Sequence, residues 1–268
     1  MTATPNMLNH LFSLEGKAAL ITGASGGIGS ALAIGFAEAG AAIAVHGRDV
    51  TRVEETCHAI ETVGGRALPL IADLNNVQEC RNLVTRTHRE LGRLDILINN
   101  AATNRRKPIL EVTEDDYEVI TGVNTRAIFF LSQAAHRPMC DQGSGKIIHI
   151  ASINVSFALD TVSVYGLSKG AVAQMTKAMA VEWARDNIQV NAITPGFVYT
   201  PLAKPIWDDP HKAAWLTNRI PMRRPAQPTE LLGLAMMLAS HASDYITGQN
   251  IVIDGGFSAG GSWNADAQ

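Results

Sequence analysis

An excess of charge of either sign is missing from this chain of 268 residues: 22 Lys and Arg stand against 25 Asp and Glu, a formal net charge of −3. With a pI near 6.2 there is no basic field to attract nucleic acid or an anionic membrane surface. Cysteine is scarce. Cys57, Cys80 and Cys140 are odd in number, far apart and free of C-x-x-C spacing, as expected of small buried apolar residues in a reducing cytoplasm rather than of a disulfide framework. No run of about 18 apolar residues is available to span a bilayer, and Met1 to Ser13 lack the basic start and apolar core of a secretion signal. The expected location is therefore the cytoplasm. The eight histidines include neither H-E-x-x-H nor a local Cys/His cluster, so no metal site is expected from local sequence. Internal repeats and low-complexity tracts are absent as well.

What remains is 46% hydrophobic and 18% charged, enough to bury a sizeable core, and the length suits a single α/β domain. Short β-rich apolar runs fall at Lys17 to Ile21, Ala42 to His46, Ala67 to Ile71, Ile96 to Asn99, Lys146 to Ile150, Gln189 to Ile193 and Asn250 to Ile253. Between them the period is helical, around Gly27 to Ala39, Val50 to Val63, Val77 to Leu91, Glu114 to Met139, Val164 to Ala184 and Thr229 to Leu238. Strands with so few alternating polar residues are covered on both faces. The rhythm predicts a doubly wound, Rossmann-type parallel sheet of seven strands with helices on both faces, and ligands at the carboxyl ends of its strands.

The expected organisation is an extension over 1–13, a dinucleotide-binding and catalytic domain over 14–257, and a tail over 258–268. One stretch breaks the rhythm. Tyr199 to Pro228 carries six prolines and two tryptophans, with at most a short helix near His211 to Asn218, and an irregular insertion of that length reads as a lid.

Directly after the first strand comes Thr22-Gly23-Ala24-Ser25-Gly26-Gly27-Ile28-Gly29. Glycines let the backbone turn tightly and approach a pyrophosphate, whose charge the N–H groups and the dipole of the following helix favour. The second strand ends in Val45-His46-Gly47-Arg48-Asp49, where such folds hold the adenosine ribose. A carboxylate there would repel a 2′-phosphate, whereas an arginine binds it through its planar fork. Arg48 thus points to NADP over NAD, with Asp49 on the ribose of NAD as the alternative.

Tyr165 and Lys169 stand four residues apart in a helical segment and share a face. A phenol titrates near pH 10, and a neighbouring ammonium favours the phenolate, bringing the group towards useful acid/base chemistry. On most helices the pair would be an ordinary surface pair. Ser152 gives it context, because it follows the strand ending at Ile150 and its hydroxyl can donate to a carbonyl oxygen as charge develops there.

With these residues assembled, the sequence resembles the short-chain dehydrogenase/reductase family from about Leu14 to Phe257. The resemblance implies that Thr22, Gly23, Ser25, Gly27, Ile28 and Gly29 form the dinucleotide turn, that Asp73 and Leu74 contact adenine, and that Asn100 and Ala101, within Asn99-Asn100-Ala101-Ala102, support the central strand beside the cofactor. It also implies a catalytic tetrad of Asn124, Ser152, Tyr165 and Lys169, with Asn124 holding a relay water and Lys169 binding the nicotinamide ribose. The segment Pro195-Gly196-Phe197-Val198-Tyr199-Thr200 then orients the nicotinamide through Val198 and Thr200. Two positions depart from the family pattern: Ala102 replaces the usual glycine, and Gly26 stands where many NADP-using members carry Arg or Lys.

Among the subfamilies, the opening Leu11 to Lys17 and the loop Thr103-Asn104-Arg105-Arg106-Lys107-Pro108 resemble gluconate 5-dehydrogenase and related sugar-acid dehydrogenases. Arg105 and Arg106 are then expected to take a substrate carboxylate, with Trp207 of the lid at the pocket. The expected reaction is hydride transfer between a nicotinamide cofactor and a small ketone or secondary alcohol. A 3-oxoacyl-carrier-protein reductase is the rival enzyme, but Gly143 and Asp186 stand where basic residues would receive the acidic carrier. A non-catalytic NADP-binding sensor or scaffold would be expected to lose Tyr165 or Lys169. The resemblance further implies a homodimer or homotetramer built on the long helices and the last strand.

Overall fold

A computed structural model describes residues 7–261. Its element order is α1 (Met7–Phe12), β1 (Ala18–Ile21), α2 (Gly27–Glu38), β2 (Ala42–Gly47), α3 (Val50–Thr62), β3 (Arg66–Ile71), α4 (Val77–Leu91), β4 (Ile96–Asn99), α5 (Glu114–Thr121), α6 (Ile128–Gln142), β5 (Gly145–Ile150), α7 (Ser163–Trp183), β6 (Ile188–Pro195), α8 (Lys204–Trp207), α9 (Pro210–Arg219), α10 (Leu232–Ala239) and β7 (Asn250–Ile253). The seven strands form one sheet in the order β3-β2-β1-β4-β5-β6-β7, and every pairing is parallel. The order reverses between β1 and β4. At that point the crossovers leave the sheet in opposite directions and open a crevice above the strand ends.

Period-2 alternation along the strands divides the core in two. Ile21, Ile43 and Ile98 face Leu32 and Phe36 of α2, Ile60 of α3 and Leu238 of α10. Leu20, Ala44, Leu97 and Ile147 face Leu83 of α4, Leu131 and Met139 of α6, and Met179 of α7. Each of these side chains is at most 5% exposed. Side-chain caps mark the helix starts: Asp49 accepts from the Arg52 amide, Asn76 from the amides of Gln78 and Glu79, and Thr113 forms a reciprocal capping box with Asp116. These contacts satisfy N–H groups that no intrahelical carbonyl can reach.

Three expectations need correction: the unbroken helix over Glu114 to Met139, the single short helix of the 199–228 insertion, and the burial of Cys140. The helix expected over Glu114 to Met139 is broken, because Gly122–Ala127 forms a π-turn between α5 and α6. A π-turn adds one residue to the helical ladder, a slip too small to disturb an apolar pattern, and such turns gather at functional sites. The extension over 1–13 contains α1, which lies against the turn His241–Ser243 and stacks His10 on His241 at 5.5 Å. The insertion over 199–228 holds two helices, α8 and α9, with Asp209 capping the second. Cys140 is half-buried rather than buried, unlike Cys57 and Cys80. The tail expected over 258–268 lies mostly outside the described residues, of which no helix is long and apolar enough to cross a membrane.

Candidate active site

The crevice at the strand ends is a cleft of about 500 Å³. Its floor is built by a knot of hydrogen bonds between the β1 and β4 ends. The Thr22 hydroxyl donates to the Ile98 carbonyl and accepts from the amides of Asn100 and Ala101 at 3.0 and 3.1 Å. The Asn100 amide group donates to the carbonyls of Thr22 and Gly23 at 2.9 and 3.0 Å. Gly29 sits under this knot, where a Cβ would stand 2.3 Å from the Gly23 oxygen, so a larger residue would push α2 off the turn. Thr22 and Gly29 belong to this turn without lining the cleft themselves. They hold Gly23, Ser25, Gly27 and Ile28, which line it.

A further support was not legible as such in the sequence. His46, buried at the end of β2, accepts from the Gly23 amide through Nδ1 (3.2 Å) and reaches the Ala72 carbonyl through Nε2 (3.2 Å). An amide can only donate and a carbonyl only accept, so the ring is the neutral tautomer with its proton on Nε2. Burial pushes its pKa down to about 4, which keeps that tautomer in place at neutral pH. The available signal was a polar residue ending an apolar strand.

At the adenosine end, Arg48 lines the cleft as expected, and so do Asp73 and Leu74. Asp49 does not. Its carboxylate is committed to capping α3, 3.2 Å from the Arg52 amide, as the alternative reading did not foresee. Arg52, one turn into α3, lines the cleft too. Its guanidinium lies over Gly26, with Nη2 2.4 Å from where a Cβ on that residue would be, and Gly26 has φ +157°. The glycine at this departure from the family pattern leaves room for an arginine arriving from the next helix. Two guanidinium groups, a glycine turn and the amino end of α2 suit a phosphorylated dinucleotide.

At the other end, Ser152, Tyr165 and Lys169 meet in the cleft. Ser152 follows β5 and is fixed by Asn154, whose amide N–H donates to the serine oxygen at 3.2 Å. Burial raises the pKa of the Tyr165 phenol, while a hydrogen bond from Ser152 and the charge of Arg106 pull it down. Lys169 is 1% exposed. Its ammonium donates to the Ile150 carbonyl at 2.7 Å and stands 5.6 Å from the Tyr165 ring centre, and burial pushes its pKa down to about 8. Pro195, Gly196, Val198 and Thr200 form the opposite wall with Phe197.

Asn124 lies in the π-turn and is fully buried. Its side chain accepts from the Thr103 amide (2.8 Å) and donates to the Thr103 carbonyl (2.9 Å) and the Ser168 hydroxyl (3.1 Å). It does not line the cleft; its bonds clamp the loop after β4 to Ser168 of α7.

The two arginines expected at the substrate part company. Arg106 lines the cleft. Arg105 does not, because it pairs with Asp115 and Asp116 at the start of α5, where Lys107 also binds Asp116 at 2.6 Å. Asp116 is correspondingly held far below the usual carboxylate range, first by Lys107 and then by the Thr113 backbone and hydroxyl. Trp207 also misses the cleft. It packs against Phe197 at 6.5 Å within an aromatic group that includes Phe157, Trp215 and Phe257, while Ile206 beside it lines the wall.

Comparison with known proteins agrees with this architecture. Residues 23–258 match the family model described as Enoyl-(Acyl carrier protein) reductase. The chain is 39% identical over 249 residues to 5-keto-D-gluconate 5-reductase of Escherichia coli (strain K12), covering 93% of this chain and 98% of that one. It is 37% identical over 246 residues to gluconate 5-dehydrogenase of Gluconobacter oxydans (strain 621H), covering 92% and 96%. Among solved structures it is similar to a gluconate 5-dehydrogenase from Burkholderia cenocepacia J2315 in complex with NADP and tartrate, with TM-score 0.91, 38% identity and coverage of 94% and 99%.

Proposed function

This chain is an oxidoreductase of the short-chain dehydrogenase/reductase family, and from that premise we propose that it interconverts a small sugar acid of the 5-ketogluconate/gluconate type and its keto form, preferring NADP to NAD. The observation that carries the substrate class is Arg106. Arg105 and Lys107 are neutralised by Asp115 and Asp116, whereas Arg106 faces the cleft beside Tyr165 and has no carboxylate partner among the described residues. A cation placed there suits a substrate that brings its own carboxylate. The cofactor preference is supported by Arg48 and Arg52 on the adenosine side, with Asp49 turned to its cap.

When bound, a nicotinamide cofactor supplies or accepts the hydride at the substrate carbon. The glycine turn would hold its pyrophosphate, and the Pro195 to Thr200 wall would hold its nicotinamide. The protein's own residues manage the proton and the oxygen. In reduction the Tyr165 hydroxyl gives its proton to the carbonyl oxygen, and in oxidation the phenolate takes it back. Ser152 donates a hydrogen bond to that oxygen as charge grows on it. Lys169, ammonium below about pH 8, favours the phenolate across the short gap to the ring. Asn124 keeps the Thr103 loop against α7 so that these groups stay in register.

The segment 199–228 acts in this reading as a lid, since Pro201, Leu202 and Ile206 meet the cleft directly. Assembly as a homodimer or homotetramer also belongs to it, and the exposure of Val181 on α7 (81%) and Tyr245 before β7 (104%) supports such contacts. The test is a panel of keto acids against neutral ketones, with NADPH and NADH. Arg106→Ala should raise KM for keto acids by roughly tenfold, the scale of one charge-assisted hydrogen bond, and leave KM for neutral ketones unchanged. Arg105→Ala should change KM for neither substrate class. Preference for neutral ketones, or equal effects on charged and neutral substrates, refutes the proposal.

A further inference from the structure

Away from the cleft, three potential metal ligands converge on the far ends of α6 and α7. His136 and Cys140 stand one turn apart on α6 and so project from one face of it. Asp186 comes from the 3-10 turn Ala184–Asp186 that follows α7. A ring nitrogen of His136, Cys140 Sγ and an Asp186 carboxylate oxygen all lie within 4.8 Å of one another. We propose that these three side chains form a binding site for a divalent ion of the zinc class, with a fourth position open to solvent.

The distances need little adjustment. A tetrahedral ion with Zn–N near 2.0 Å and Zn–S near 2.3 Å sets its ligand atoms about 3.3–3.7 Å apart. His136 Nε2 and Asp186 Oδ2 are hydrogen-bonded at 2.9 Å and would open slightly, while the sulfur would close from at most 4.8 Å. Side chains exposed by 29% and 24% at His136 and Asp186 have room to do so and give an ion a route in.

The surroundings hold the ligands in place. Trp183 packs against the His136 imidazole with ring centres 5.0 Å apart. The turn carrying Asp186 ends at Asn187, in the left-handed region at φ 56°. Asn187 donates from its amide group to the Gly143 carbonyl at 2.9 Å, and its own carbonyl accepts from the Gly145 amide at 3.2 Å. These bonds tie the Asp186 turn to the end of the helix that bears the other two ligands. Cys140 lies in the last turn of α6, where the negative end of the helix dipole favours a cation. The nearby Arg137 is committed to Asp141 at 2.8 Å.

The donor set also fits the charge. A carboxylate and a thiolate neutralise a divalent ion, and the imidazole binds as the neutral base, so binding releases the Cys140 thiol proton to solvent. One sulfur, one nitrogen and one oxygen suit zinc or cobalt(II) and disfavour magnesium or calcium, which take oxygen donors. The other two thiols are no rivals. Cys57 and Cys80 are buried, and burial, reinforced by nearby carboxylates, pushes both pKa values up to about 11.

The experiment titrates chelator-treated full-length protein with Zn²⁺ alone by calorimetry and with Co²⁺ alone by absorption spectroscopy. Wild type should bind one ion per chain and show a thiolate-to-cobalt charge-transfer band in the near ultraviolet. Cys140→Ser should lose that band, and Cys140→Ser and His136→Gln should each weaken Zn²⁺ by at least about tenfold, the loss seen when even an outer-shell partner is removed. Metal-free melting temperatures show whether each variant folds, and the melting rise produced by Zn²⁺ should vanish with the site. If one variant does not fold, the other decides. No stoichiometric binding in wild type overturns the proposal, as does a charge-transfer band or Zn²⁺ affinity unchanged in the folded variant.

Discussion

Replacing Arg52 by alanine isolates the half of the adenosine site that departs from the family pattern. The side chain enters the cleft from α3 and covers Gly26, beside Arg48. A 2′-phosphate carries roughly −1.5 to −2 charges near neutral pH, and a hydrogen bond to a charged group contributes about 1.5–3 kcal/mol. Arg52 and Arg48 are both solvent-exposed, so the lower end applies, and about 1.4 kcal/mol is tenfold in an equilibrium constant. Arg52→Ala should therefore raise KM for NADPH about tenfold and change KM for NADH less than about twofold. Initial rates at saturating substrate with each cofactor give the ratio directly. The selectivity should shrink with salt, because the screening length falls from about 10 Å at 0.1 M to about 3 Å at 1 M. Gly26→Ala adds a second test, since its Cβ would displace the guanidinium. Its NADPH-specific loss should disappear in an Arg52→Ala background, leaving only the backbone strain common to both cofactors. Equal effects of Arg52→Ala on NADPH and NADH would refute the phosphate assignment.

Two further outcomes are expected. Tyr165→Phe should lower kcat by about 10²–10⁴-fold, the range for a general acid/base, with the dissociation constant of NADPH by fluorescence titration within about twofold of wild type; near-normal turnover would exclude Tyr165 as the proton donor. Stability should fall as the pH drops below about 6.5, the ordinary histidine value, because burial pushes His46 down to about 4 and His149 down to about 3. Between those values the unfolded chain takes up protons that the folded chain refuses, so stability rises with pH across the window and the loss is complete below the folded pKa. At pH 5 each histidine accounts for about 2 kcal/mol relative to pH 7. Urea midpoints at the two pH values, in wild type and His46→Gln, measure this, and equal midpoints in wild type would contradict it.

The sheet was legible because every strand is an apolar run bounded by turn residues, and because helices between consecutive strands permit parallel order. Tyr165, Lys169, Ser152 and the glycine turn were legible because they lie within short segments at strand ends or on one helix face. What escaped depended on side-chain direction or long-range pairing. Arg105 and Arg106 are neighbours, and only the placement of Asp115 and Asp116 ten residues away decides which turns from the cleft. Arg52 and Asp49 fall on the first turn of α3, where the cap removes the acid from the ribose side and the helical period returns the arginine to it. Asn124 sits in an added helical residue that no hydrophobic pattern records.

Burial of Lys169 is what separates a site from a spacing. A Tyr and a Lys four residues apart on an exposed helix face would each keep its hydration and contribute little. Here the lysine is 1% exposed and, among the described residues, forms no ion pair; a single backbone carbonyl, that of Ile150, receives it. Removing an ammonium from water without a carboxylate costs several kcal/mol, and Leu or Met would fill the volume without that penalty. Lys146, on the neighbouring strand, shows the ordinary solution, reaching Asp244 at 2.8 Å. A fold of marginal stability retains an unpaired buried ammonium where its charge has work elsewhere. The ring 5.6 Å away carries the phenol whose pKa burial raises, and below about pH 8 the lysine's positive charge favours that phenol's ionised form. The same burial destabilises both charged groups, so in the proposed reaction any stabilisation of one by the other acts in the cleft, where a carbonyl oxygen between Ser152 and Tyr165 would receive the proton.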